Sequence, residues 1–307
     1  SGGGISSYES QLVISNSIIK NNQAYGMGGL WFDHSNAELM NTSINHNYAK
    51  YCAGGLAVGG DNSTITFNDS LLCSIYNNYA PSVNDIYRAI EYETIVFDVI
   101  VDTFTVAEPT VYYLCSGYGI MDFNYSIQNA YLEQVDADIY VSPYGDDSNN
   151  GLTPQTPLKT IGYAMNKIKP DSLEHNTLRI LNGTYSNSLN GQFFPVQIKP
   201  FTNIEGESME NTILDCEDEG SCFVNRFNKC VNYIKNVTIM NSNDSISGTI
   251  NITNEANNYE GYSNSHFTAE NIKIIDSDKK GIGTFDLSGF YKNIQIIGLT
   301  DNASTDA

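Results

Sequence analysis

Gly28-Gly29-Leu30, followed by Leu39-Met40, Asn41-Thr42, Asn47 and Ala49, is the stretch of this chain that decides its fold. The same order precedes it as Gly3-Gly4-Ile5, Leu12-Val13-Ile14, Asn16-Ser17, Asn22 and Ala24. It follows again as Gly54-Gly55-Leu56, Ile65-Thr66-Phe67, Asn68-Asp69, Asn78 and Ala80. The glycine pairs lie 25 and then 26 residues apart, and Asn16, Asn41 and Asn68 lie 25 and 27 apart. A repeat in the twenties, built of short strands between turns, is one coil of a solenoid. Within a unit the alternation has the period of a strand, as in Ile65 and Phe67 around Thr66. Asn and Gly punctuate the strands because they accept the left-handed backbone of sharp turns. Strands this short must stack in parallel coils about 4.8 Å apart to bury a core. A recurring asparagine, Asn16 above Asn41, then forms an amide ladder along the axis. The expectation is an all-β, parallel β-helix.

Composition sets the outer limits. The 307 residues carry 15 Lys+Arg against 35 Asp+Glu, a net charge of −20, which opposes nucleic-acid binding. At 41% hydrophobic residues the chain can bury a core, yet no apolar run reaches the length of a membrane span. Only 16% of residues are charged while 21 are Tyr, and such polar, uncharged surfaces suit exported β-proteins. The six cysteines show no zinc spacing; Cys216 and Cys222 are close enough to bridge across a turn, with buried free thiols as the alternative.

Three regions are expected. Residues 1–80 form the C-terminal part of one β-helix. Residues 139–307 open a second that continues past the end of the chain. Between them, 81–138 reads as a small antiparallel β-module, with irregular coils as the alternative, because 95–101 and 122–131 look like longer strands around Pro109 and Gly117. In the second helix, Leu158, Ile161, Ala164, Met165 and Ile168 fall at helical spacing and predict a short helix near 158–168 that covers the open end of the core. Strands follow at 178–181, 194–198 and 212–214. Later strands are expected to start at Asn236, Asn271 and Asn293, with an insertion near 254–264.

Tyr140-Val141-Ser142-Pro143, Gly145-Asp146-Asp147, Gly151-Leu152-Thr153-Pro154, Pro157-Leu158-Lys159-Thr160-Ile161 and Asn182-Gly183-Thr184-Tyr185 resemble the opening of bacterial secreted right-handed β-helix proteins of the pectin-lyase-like superfamily. The repeats over 2–80 resemble those of polymorphic outer-membrane and related surface proteins. The resemblance implies a right-handed β-helix and export to the cell surface. One such fold hosts lyases, hydrolases, adhesins and inert stalks, so it does not fix an activity.

Chemistry is sparse in the sequence. A polysaccharide lyase needs carboxylates holding calcium beside an Arg or Lys base, and a hydrolase needs facing carboxylates. The best acidic cluster is Asp215, Glu217, Asp218 and Glu219, with Arg226 and Lys229 downstream; solvated turns are the plainer reading. The four histidines (His34, His46, His175, His266) share no register. Asp146, Asp147 and Asn149 supply hard oxygen ligands in a Gly-bounded turn, the only candidate metal set, for calcium; an Asx-rich turn feeding the helix is the alternative. No other cofactor and no catalytic residue is expected. Tyr76, Tyr79, Tyr259 and Tyr262 could stack on sugar rings, which makes surface polysaccharide a possible ligand. Nine Asn-x-Ser/Thr sequons occur, among them Asn41, Asn62, Asn182, Asn236 and Asn251, a number expected from composition.

The termini read as unfinished coils. Asn302-Ala303 ends like Asn22-Gln23-Ala24, and Gly3-Gly4-Ile5 begins like Gly28-Gly29-Leu30. Joined tail to head, the C-terminal coil from Asn293 to Ala307 would sit on the N-terminal coil from Ser1 to Ile5 of another copy. A head-to-tail contact that does not close gives a filament. The sequence thus predicts a non-catalytic extracellular structural or adhesive protein, one unit of a cell-surface fibre or long stalk. The alternative is a carbohydrate-active β-helix enzyme or glycan-binding module.

Overall fold

The structure is a computed structural model that describes residues 3–299, apart from 61–62, 90–95, 117–122, 226–230, 244–247, 254–264, 278–279 and 286. It divides into two compact units, residues 1–133 and 134–307.

In unit 1 the first coil carries β1 (Ile5–Tyr8), β2 (Gln11–Ser15), β3 (Ile18–Lys20) and β4 (Gln23–Ala24). The second carries β5 (Leu30–Asp33), β6 (Asn36–Met40), β7 (Ser43–Asn45) and β8 (Tyr48–Ala49). Then come β9 (Leu56–Gly59), β10 (Thr64–Phe67), β11 (Cys73–Tyr76), β12 (Ile86–Ala89), β13 (Phe97–Phe104), β14 (Leu114–Ser116) and β15 (Phe123–Ala130). Each strand pairs in parallel with its counterpart one coil away, in the orders β1-β5-β9-β12-β14, β2-β6-β10, β3-β7-β11-β13-β15 and β4-β8. This is the predicted parallel β-helix.

Like residues stack inside it. Leu30, Leu56 and Ile86 occupy one interior column and Ile44, Ile75 and Phe104 another, all shielded from solvent. Each such side chain contributes about 1.5–3 kcal/mol of burial. The glycine pairs allow the coils to close up at the corner: a Cβ on Gly29 would strike the Gly55 carbonyl oxygen, and one on Gly28 the Gly54 carbonyl oxygen.

The expected antiparallel module at 81–138 is not formed by the described residues. β12 and β14 extend the first sheet, and β13 and β15 extend the third, all in parallel register. Strand length misled here. A strand's sequence reports which face it buries, whereas its neighbour is set by the coil already laid down beneath it.

Unit 2 begins with β16 (Ile139–Val141), α1 (Ile161–Lys167), β17 (Asn176–Ile180), β18 (Gly183–Tyr185), α2 (Asn187–Asn190) and β19 (Val196–Gln197). It continues with β20 (Thr202–Gly206), β21 (Thr212–Asp215), β22 (Phe223–Asn225), β23 (Val231–Met240), β24 (Ile250–Thr253), β25 (His266–Ile275), β26 (Ile282–Phe285) and β27 (Ser288–Ile297). One parallel sheet runs β16-β17-β20-β23-β25-β27, joined by β18 and β21 through β23; a second runs β19-β22-β24-β26. The long strands start five residues before Asn236, Asn271 and Asn293, so these asparagines mark bends within strands rather than strand starts. The insertion expected near 254–264 lies outside the described residues.

Helix α1 falls within the expected span and packs on β16, β17 and β19 through buried Ile161, Ala164 and Met165. Both of its ends are satisfied. Thr160 caps the first turn, Gln192 Oε1 accepts from Ile161 N at 2.6 Å, and the buried Lys199 Nζ donates to Asn166 O and Ile168 O, each at 3.0 Å. No helix among the described residues is long and apolar enough to cross a membrane.

Candidate functional site

In the turn proposed for calcium each side chain is engaged in hydrogen bonds. Asp147 accepts from Lys159 N at 2.8 Å, Thr160 N at 3.0 Å and Thr160 Oγ1 at 2.9 Å, which anchors the approach to α1. Burial still raises its carboxyl above the ordinary value, against those hydrogen bonds. Asp146 accepts from Ser148 N, which lowers its own carboxyl, and Asn149 donates to Pro157 O at 2.9 Å. Three oxygen-bearing side chains thus serve four backbone groups, and no grouping of three or more His, Cys, Asp or Glu suited to a metal occurs among the described residues.

The acidic cluster is likewise engaged in local hydrogen bonds. Asp215 accepts from Asn241 Nδ2 at 2.9 Å and from Glu217 N at 3.1 Å. Glu217 is bound by the Ser188 amide and hydroxyl, which hold its carboxyl below the usual range. Asp218 hydrogen-bonds through its own backbone N–H to Asn241 O. Arg226 and Lys229 lie outside the described residues. The histidines also stay separate: His34 meets Asp33 and Tyr8, His46 meets Asn45, Tyr76 and Tyr131, His175 meets Phe201, and His266 meets Ser288. Tyr76 stacks on Tyr131 at 4.6 Å and Tyr79 on buried Tyr48 at 5.8 Å, so both contribute to packing, while Tyr259 and Tyr262 lie outside the described residues.

What the structure assembles instead are columns along the stacked strands. Asn41 Nδ2 donates to Asn16 Oδ1 at 2.7 Å, the expected ladder. It stops at that rung. Asn68 sits in a turn, accepting from Ser70 N and Leu71 N, because the third coil inserts extra residues there. An interior column runs from Asn22 to Asn47 to Asn78, each side-chain amide donating to the next Oδ1 at 2.9 and 3.0 Å.

Unit 2 repeats the device: Asn271 Nδ2 donates to Asn236 Oδ1 at 2.9 Å, and Asn293 Nδ2 to Asn271 Oδ1 at 2.8 Å. All three have positive φ, between 50° and 61°, a conformation Asn tolerates better than most residues. Beside them runs a column of alternating charge, Arg179, Glu205, Lys235, Glu270 and Lys292, in successive register. Its closest contacts are Arg179 to Glu205 at 3.0 Å and Lys292 to Glu270 at 2.6 Å. Register alone hid this column from the sequence; once the strands are aligned, the alternation is plain.

Both columns reach β27, which pairs only with β25 among the described residues. Phe290, Ile296 and Ile297 of this strand are exposed, the last two at 44% and 50%. β1, β2 and β3 are likewise end strands of their sheets. A shallow depression of about 610 Å³ lies elsewhere, across the outer face of β2, β6 and β10, lined by Gln11, Val13, Asn36, Glu38, Thr64 and Thr66.

No curated protein and no solved structure matches the chain. A family model, described as a protein of unknown function (DUF1565), matches residues 143–297, half of the chain. That span runs from the turn before α1 through the last strand, β27, and so covers nearly all of the described part of unit 2. The chain is a member of the DUF1565 family, and its fold is a parallel β-solenoid.

Proposed function

We propose that this chain is a non-catalytic structural or adhesive unit of an extracellular fibre or long cell-surface stalk, associating end to end with copies of itself. The observation that supports this is the edge of β27 that pairs with no strand among the described residues, with apolar side chains exposed beside it and the asparagine and charge columns reaching it. An uncovered strand edge is a template for another strand, and a heterologous contact between the two ends extends without closing. The pectin-lyase-like ancestry suggested by residues 140–185 fits the same reading. Light scattering across a concentration series, followed by electron microscopy, tests it. Filaments or concentration-dependent oligomers are expected, and compact monomers at every concentration would overturn it.

A second reading, binding of a surface polysaccharide, draws on the polar depression across β2, β6 and β10. Titration of neutral and acidic oligosaccharides against the chain and a Glu38→Ala variant tests it. Binding that the variant loses supports it, and absence of binding removes it.

A further inference from the structure

We propose that a second copy of this chain docks with its residues 4–20 continuing the rung formed by residues 281–297, in a gapless register that places Asn16 against Asn293. This rests on the end-to-end reading above and specifies its contact.

The two segments have one frame. Each opens on a glycine, Gly4 or Gly281, followed by a four-residue strand, β1 or β26. After two further positions in the sequence come ten residues with an asparagine at the sixth: 11–20 with Asn16, and Ser288–Ile297 with Asn293. Residues 36–45 and the strands β23 and β25 carry the same ten-residue element around Asn41, Asn236 and Asn271. In all of them the left-handed asparagine bends the strand at the same place.

The faces agree as well. Positions two, four, seven and nine point inward in unit 1, as Ala37, Leu39, Thr42 and Ile44, and in unit 2, as Phe267, Ala269, Ile272 and Ile274, all buried. In the proposed register Gly289 meets Leu12, Tyr291 meets Ile14, Ile294 meets Ser17 and Ile296 meets Ile19. The interior is therefore continued rather than turned outward, which a one-residue slip would do. Outside, exposed Phe290 meets exposed Val13, Lys292 meets Ser15 and Ile297 meets Lys20, so no like charges are opposed within the ten-residue element.

Hydrogen-bond polarity fixes the order of the ends. In both ladders the later coil donates its side-chain amide to the earlier one, Asn41 to Asn16 and Asn293 to Asn271. Among the described residues, Asn293 Oδ1 is thus the acceptor that no later rung meets, and Asn16 Nδ2 the donor that no earlier rung meets. A second copy placed after β27 joins them; pairing two first rungs would oppose two donors, and pairing two last rungs two acceptors.

Directed cross-linking tests the register. Neighbouring rungs about 4.8 Å apart put paired Cα atoms within disulfide range, whereas a two-residue offset opens them to about 8 Å, beyond it. With oxidised glutathione as oxidant, a Gln295→Cys/Ile18→Cys chain should form intermolecular disulfides about tenfold faster than Gln295→Cys/Lys20→Cys. All three positions are exposed, so folding is preserved. A second variant, Asn16→Asp, keeps an acceptor for Asn41 and sets a carboxylate oxygen where the donor to Asn293 stood; it should weaken association about tenfold. Oligomers that cross-link equally or preferentially through the offset pair, or that are indifferent to Asn16→Asp, would overturn the register while leaving end-to-end assembly standing. Monomers alone, in wild type and variants, would overturn both.

Discussion

Asn78 donates its side-chain amide to Asp85 Oδ1 at 3.0 Å, and through that bond the interior asparagine column of unit 1 ends on a buried carboxyl group. Burial pushes Asp85 up to about 7, outweighing the hydrogen bonds from Thr105 and Asn78 that favour its charged form. The folded state therefore holds a proton that the unfolded chain, near 3.8, releases earlier. Stability from this group is fully present below pH 3.8 and is lost as pH rises toward about 7. Asp85→Asn removes that slope and stabilises unit 1 above pH 7. Urea denaturation of both proteins at pH 5 and pH 8 checks this. A wild-type and variant difference that does not change between the two pH values would refute it.

Lys199 closes the carbonyl end of α1 from inside the core, where burial pulls its ammonium well below the usual range. Lys199→Met keeps the bulk but leaves the carbonyls of Asn166 and Ile168 without their ammonium donor, at a cost of about 3 kcal/mol. Chemical denaturation measures the loss, and hydrogen exchange should place it in α1 and β16.

Asn271 sits in the middle of its ladder, donating to Asn236 and accepting from Asn293 at a φ of 54°. Asn271→Ala loses both bonds and strains the backbone, for about 2–3 kcal/mol, whereas Asn271→Gly keeps the bend and costs about 1 kcal/mol less. Equal losses in the two variants would show that the left-handed bend carries no strain.

Cys216 and Cys222 are both buried and hydrogen-bonded to each other across the turn that joins β21 to β22. Burial and its neighbour push the Cys222 thiol well up, so this thiol reacts slowly in the folded chain. Refolding with oxidised glutathione should join the two sulfurs by successive exchange, releasing two equivalents of reduced glutathione. Peptide mapping should find this bridge and should find Cys52 and Cys73 still as thiols. Oxidative refolding that leaves all four reduced would count against it.

Much of this was legible from residues alone. The glycine pairs, the alternation in Ile65-Thr66-Phe67 and the 25-residue return of Asn16 at Asn41 are consequences of turn chemistry and strand period. The helical spacing of Ile161, Ala164 and Met165 located α1. Legibility failed where a residue's role depends on what lies one rung away. Asn68 returns with the repeat in sequence but lies in an inserted turn, out of line with Asn16 and Asn41, and the longer strand expected at 95–101 in an antiparallel module lies, as Phe97–Phe104, in parallel between β11 and β15. For Asp146, Asp147 and Asn149 the oxygen chemistry was visible, but not the backbone amides that Asp147 holds.

The sequence by itself determined that the chain winds into parallel coils, because turn preference and side-chain alternation are local properties written residue by residue. Tertiary structure alone decided the register between coils. That register aligned five charges into an alternating column, buried a carboxyl at the end of an asparagine stack, and gave residues 4–20 and 281–297 a common frame. Register arises from the simultaneous fit of many side chains across rungs separated by 22 to 35 residues, and no local stretch of chain contains that information.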